Sequence, residues 1–551
     1  MWIVLNINLK ARLLLFSLII IWSSPSYAEK SCGKHNSWAT YLVGTWCTRW
    51  DYTTYYLDWD SAHKACVSKA RSIGIGDKVG TGSTCATYRG DSLSVYNGNS
   101  VRPNPNGNPP WLGYYNDFFK FITISDSNQC QEGTMLNRQL GCIASNKEKE
   151  VGKGNVCVGN PINIITGNKI QYETVFNSTV NPYFLSNVTY NSSIEKWQKP
   201  YSNSLKQGYE AEGLMEIYRN DGKKYLLEID EKGIWQSDPD VTVKLESITL
   251  DDSSDGWQLT LKDNTVETYS ASGRLLSISK LGKQLITLSY DDVVHKTTAT
   301  DNLTNTNMTL EYDASNADML KKVTTPANAV YRFKYTDAGL LQYVSYPDDT
   351  DTAGDNPFSE DNPYREYHYE DANNNKLLTG ITDERGHRYA TWAYDSEGRA
   401  ISSEHANTTE KTTLDYTHQN DADYPRVTVT NALGKQTTYH FEAIYGVRKV
   451  TKVEGHQSEN CAAANQLTTY DENGFVASRT DWKGNLTTYV HNDRGLETSR
   501  TVADDTPDAQ TITTQWHDDF NVPEKIIEPM RTETFTYDSK GQRRTITVIE
   551  Q

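Results

Sequence analysis

The chain has 551 residues and a formal charge of -17, too long for one ordinary core, so several domains or a repeat array are expected. The acidity excludes a phosphate-binding surface, which needs clustered Lys and Arg to release counterions, and with it nucleic acid as a partner. Tyr alone accounts for 35 residues and aromatics for 11%, which suits half-buried pleated surfaces, so strands should dominate.

At the start of the chain Lys10 and Arg12 precede an apolar run from Leu13 to Trp22, and Ser26 and Ala28 are the small residues at -3 and -1 of a cut after Ala28. Residues 1–28 therefore read as an export signal. The run is shorter than the ~20 residues of a spanning helix, and no later segment is apolar enough, so no membrane span is expected after cleavage. The mature chain is expected in the periplasm, at the cell surface or outside the cell.

Residues 29–158 read as a small cysteine-rich domain. Cys32, Cys47, Cys66, Cys85, Cys130, Cys142 and Cys157 cluster there, with only Cys461 elsewhere, and in an oxidising compartment such a cluster makes a disulfide framework. Zinc is the rival, because Cys32 with His35 and His63 with Cys66 have a ligand-pair spacing. One helix is predicted over Ser61–Ile73, capped by Asp60 and ended by Gly74. Aromatics around Trp38–Trp50 and Trp111–Phe121 fill a core or, as the alternative, stack on sugars.

After Cys157 the texture changes to short alternating strands and turns. Residues Trp257–Lys262 alternate apolar with polar, turn at Asp263-Asn264 and return through Thr265 to Tyr269, which makes a hairpin. Its end opens a signature, Tyr269-Ser270-Ala271-Ser272-Gly273, that recurs at Tyr312, Tyr335, Tyr394, Tyr470 and Tyr537, with weaker copies at Tyr290, Tyr369 and Tyr489. Spacings of 21, 22 and 23 residues separate Tyr269, Tyr290, Tyr312 and Tyr335 in turn, a period that suits one hairpin per repeat. Between tyrosines a second turn recurs at Asp383-Glu384-Arg385-Gly386, Asn431-Ala432-Leu433-Gly434 and Asp481-Trp482-Lys483-Gly484. Such hairpins cannot bury a face alone and must stack into one sheet.

This pattern resembles the YD repeats of Rhs proteins, and Gly159-Asn160-Pro161-Ile162-Asn163-Ile164-Ile165-Thr166-Gly167-Asn168-Lys169 is similar to the lead-in segment that precedes repeats in that family. The resemblance implies a mainly β fold: a YD-repeat β-hairpin array forming a spiralling, open or partial β-sheet shell, preceded by the small disulfide-rich domain with one helix. Residues 159–250 would hold the lead-in and first strands, and 251–551 the repeats. Many family members carry a C-terminal toxin inside the shell. This chain shows no core region, self-cleavage motif or toxin before Gln551, so a truncated or split member of a polymorphic-toxin system is expected. Its partner would be a toxin or core polypeptide or another envelope protein. The alternative is an adhesin whose cysteine-rich head binds a surface glycan.

No catalytic pattern or cofactor fingerprint is found, so an enzyme is not expected. One loop, Asp349–Glu360, has acids Asp349, Asp351 and Glu360 and Gly354 at calcium-loop spacing. Ala353 breaks the pattern at the fifth position, and a solvated acidic insertion is the stronger reading.

Overall fold

The computed structural model describes residues 156–207, 213–230, 232–347, 362–421, 424–458 and 462–550, with Lys149, Val151, Gly152 and Phe358, in backbone and side chain. The export signal and the cysteine-rich domain up to residue 148 lie outside these residues. Two compact units divide the chain, Met1–Lys147 with Gly208–Leu214 and Glu228–Gly233 forming one, and Glu148–Gln207, Met215–Leu227 and Ile234–Gln551 the other. Nearly all described residues belong to the second.

The second unit carries an antiparallel sheet of 26 strands, from Lys244–Thr249 to Arg543–Glu550, laid down in strict chain order. The predicted hairpin is its second and third strands: Asp255–Thr260 pairs with Thr265–Ser270, placing Trp257 opposite Tyr269. Asn264 takes the turn at φ +65°, a left-handed conformation that Asn tolerates better than most residues. Alternation then sorts the side chains. Along Thr265–Ser270, Thr265, Glu267 and Tyr269 are buried while their neighbours are half-exposed, the pattern of a sheet with one face on a core.

The repeat signature has a common local geometry. At Tyr394-Asp395-Ser396-Glu397-Gly398-Arg399 the Asp395 carboxylate accepts the backbone N–H groups of Glu397 and Arg399 at 2.9 and 3.0 Å, and Gly398 supplies φ +77°. Asp471 and Asp538 make the same pair of bonds. So do Asp383, Asn431 and Asp481 in the second family of turns. A short acceptor side chain that closes its own turn explains why Asp and Asn recur there. The ladder slips by one residue immediately before Tyr269, Tyr312, Tyr335, Tyr394, Tyr470 and Tyr537. These six repeats thus contain a β-bulge, which bends the strand and increases local twist.

The core lies between the sheet and the segment ahead of it. Ile162, Ile164, Phe184, Tyr190 and Trp197 share one buried cluster with Leu259, Leu310, Leu341, Leu378 and Ile381 of the sheet. Polar bonds fix the contact. Ala400 N–H donates to Gly167 O at 2.8 Å, Trp392 Nε1 donates to Asn160 O at 2.9 Å, and the Tyr190 hydroxyl donates to Lys376 O at 2.9 Å. The lead-in predicted from sequence is therefore a buried insert against the sheet's middle strands.

Farther along, the sheet comes back against its own beginning. Asn521 N–H donates to Asn264 Oδ1 at 2.7 Å and Asn264 Nδ2 donates to Asn521 O at 3.0 Å, across 257 residues of sequence. Lys262 Nζ reaches Gly495 O at 2.6 Å, and Gln542 Nε2 reaches Leu281 O at 3.0 Å. This seam joins turn to turn and not strand to strand. Among the described residues the terminal strands of the sheet are not hydrogen-bonded to each other, so the sheet winds and stays open at its ends.

Candidate binding cleft and the groups around it

Most repeat tyrosines, whether or not a bulge precedes them, use their hydroxyls on the backbone of an earlier segment. Tyr290 donates to Leu275 O at 2.6 Å, Tyr394 to Leu378 O at 2.7 Å, Tyr416 to Ala400 O at 3.1 Å and Tyr470 to Val450 O at 2.8 Å. Tyr369 and Tyr537 do the same toward Leu341 and Pro523, and the Tyr335 hydroxyl accepts the Leu320 N–H at 3.2 Å. Burial pushes the phenols of Tyr290, Tyr335, Tyr394 and Tyr416 upward, so they remain neutral donors. These rings are rivets between repeats.

Three members of the series differ from the sequence expectation. The bulge that should mark Tyr489 falls before His491, with Tyr489 in mid-strand opposite Arg500. Another bulge precedes Trp516, whose indole N–H donates to Glu497 O at 2.8 Å. Tyr416, also missed, makes the hydroxyl bond without a Gly turn after it. The period and the Asn492-Asp493-Arg494-Gly495 turn were the signals that could have located His491.

Buried charges tie the insert to the sheet. The Glu173 carboxylate accepts Arg365 Nη1 at 2.8 Å and the hydroxyls of Tyr346 and Tyr367. Glu267 accepts Asn203 Nδ2 at 2.8 Å, Arg219 Nη2 at 2.9 Å and the Tyr269 hydroxyl at 2.6 Å. Burial pulls both guanidiniums down, but the facing carboxylate charge outweighs it and their pKa values rise. Lys169 is buried with no carboxylate partner among the described residues. Its ammonium donates to Asn160 O, Ile170 O and Gln171 Oε1 at 2.6, 2.7 and 3.0 Å and lies 4.1 Å from the Trp392 ring centroid. Burial pushes its pKa well below the usual lysine value, against an opposing pull from Cys157.

A cleft lies where the insert meets the first repeats. It measures about 830 Å³ and runs between residues 194–204 and 218–224 on one side and the turns at 272–275, 290–297 and 312–318 on the other. Three of its tyrosines face cations: Lys199 over Tyr312 at 4.9 Å, Arg274 over Tyr290 at 4.4 Å and Lys224 over Tyr218 at 5.9 Å. Carboxylates steady the same cations, Asp318 for Lys199 at 3.3 Å, Asp292 for Arg274 at 3.0 Å and Glu216 for Lys224 at 3.3 Å. Lys196 and Lys296 also line it.

Of the residues singled out from sequence, Cys157 is described; it stands opposite Asn163 in a short strand pair. Cys32, Cys47, Cys66, Cys85, Cys130 and Cys142, the zinc candidates His35 and His63, and the calcium-loop residues Asp349, Asp351 and Glu360 lie outside the described residues. Among the described residues no group of three His, Cys, Asp or Glu side chains is arranged to hold a metal, and no helix is long and apolar enough to cross a membrane.

Neither a protein-family model nor a curated protein matches the chain. Some solved structures are distantly similar to it. The TcdB2-TccC3-Cdc42 crystal structure is 12% identical over 67% of this chain and 19% of its own, with a TM-score of 0.35. The TcdB2-TccC3 crystal structure is 11% identical over 74% of this chain and 22% of its own, with a TM-score of 0.30. A Tc holotoxin pore from Photorhabdus luminescens gives 12% identity over 64% of this chain and a TM-score of 0.19. The chain spans about a fifth of the length of these proteins, and the likeness is too remote to carry a role across.

Proposed function

We propose that the chain is an exported, non-catalytic scaffold of YD-repeat type, working in a polymorphic-toxin system by holding a toxin or core polypeptide. The observation that carries this reading is the single 26-strand sheet in chain order, riveted repeat to repeat by tyrosine hydroxyls. Its buried carboxylates support the same reading, since Glu173 and Glu267 are each engaged by an arginine and by tyrosine hydroxyls. Groups committed in this way fix a frame.

The test is deletion of residues 251–551 in the producing bacterium, followed by competition against a sensitive strain. Loss of the competitive advantage, with export of the remaining protein intact, is the expected result. An undiminished advantage would overturn the reading.

A further inference from the structure

We propose that the cleft between the insert and the first repeats binds an acidic peptide segment of a partner polypeptide. This goes beyond the scaffold reading and does not depend on it. The chain carries a net charge of -17, yet the cleft lining holds five Lys and Arg side chains against two aspartates. A concave surface of one sign focuses its field and raises the local concentration of an oppositely charged ligand.

Two of the cations have no ionic partner among the described residues. Lys196 stands opposite Asn191. Lys296 is in register with Asp291 and Glu311 without an ion pair to either, and Glu311 is taken by Lys322 at 2.9 Å. In two of the remaining pairs the acid is solvent-exposed, Asp292 and Asp318 having three-quarters of their side chains in water, while the Lys224–Glu216 pair is partly buried. Exposed pairs contribute little, so ligand carboxylates can replace these aspartates with small loss.

The tyrosines decide between classes of polyanion. A sugar or a nucleobase would be held by stacking on open ring faces, but Tyr218, Tyr290 and Tyr312 already carry a cation. Recognition by carboxylate charge, with the rings holding the cations in place, fits an acidic peptide better than an acidic glycan. The volume of about 830 Å³ lies within the ~300–1,000 Å³ usual for ligand sites.

The experiment uses the full chain and fluorescence anisotropy with a labelled peptide of alternating Glu and Gly. The Gln-Gly analogue and an oligogalacturonate serve as competitors. Binding of the Glu peptide, weakening as salt rises, with no competition by the Gln peptide, is expected. The pair Lys196→Glu and Lys296→Glu should lower affinity at least about tenfold, whereas Lys411→Glu, whose ion pair with Glu404 lies outside the cleft, should leave it unchanged. If the charge-reversed protein does not fold, Lys196→Gln with Lys296→Gln keeps the test and should give a smaller loss in the same direction. Three results would overturn the proposal: no binding at millimolar peptide, binding indifferent to both double variants, or displacement of the peptide by oligogalacturonate with the sugar bound more tightly.

Discussion

A single oxygen separates tyrosine from phenylalanine, and at Tyr394 that oxygen satisfies the Leu378 carbonyl inside the core at 2.7 Å. Tyr394→Phe keeps the ring and strands the acceptor, so it should cost roughly 1–3 kcal/mol. The measurement is a fall in the urea midpoint at unchanged slope. Tyr489→Phe, in mid-strand with no bulge before it, should move the midpoint much less. Gly386 isolates a backbone effect, because its φ is +77° and an added Cβ would meet nothing within 4 Å. Gly386→Ala should therefore cost only the left-handed penalty, about 1–2 kcal/mol. At Gly273 the same change should be far worse, since a Cβ there would lie 1.9 Å from Leu205 O.

The turn is the unit at which pH acts. Hydrogen bonds from Arg385, and then from the backbone N–H of His387, pull the Asp383 carboxyl down from its ordinary value to about 2. A carboxyl depressed in the folded state contributes stability above its unfolded pKa of ~3.9 and loses it as pH falls toward the folded value. Thermal stability of the wild type should thus decline between about pH 4 and pH 2, and Asp383→Asn should flatten that part of the profile. These turns were legible in the sequence because the Asp or Asn, the Gly and the spacing all sit within five residues. The sheet and its hairpin phase were legible for the same reason, as alternation and period are local. The bulges were not, because a ladder slip depends on the facing strand. His491 and Trp516 at tyrosine positions were hidden by their identity.

Across the whole second unit, the contacts that hold insert to sheet join residues far apart in sequence, which no spacing could announce. Arg365 meets Glu173 across 192 residues, and neither has a neighbour that foretells the other. The cleft was equally invisible, since its cations come from Lys196–Lys199, Lys224, Arg274 and Lys296, none of them a basic run. Glu173→Leu would leave Arg365 Nη1 and the Tyr346 and Tyr367 hydroxyls without their acceptor, while Arg365 Nη2 keeps Glu384 at 2.7 Å. Removing one member of a buried pair costs about 3–5 kcal/mol, so this variant should unfold at markedly lower denaturant, whereas Lys244→Ala at the exposed pair with Glu246 should be near neutral.

The strict chain order of the strands also sets how the molecule can be put together. Most strands find their ladder partner a few residues away, with the connection from Ser345 to Tyr364 the longest, and because loop entropy grows slowly with length the loss at each step stays modest as the sheet grows. The insert that fills the core comes before the sheet in the chain, so the template is present before the layers that cover it. Assembly can thus follow synthesis from the N-terminal side, strand upon strand, as a one-dimensional growth process. The seam at Asn264–Asn521 and Leu281–Gln542 waits longest, because its second half arrives 257 to 261 residues after its first. It works as a latch that closes once most of the sheet has been laid down.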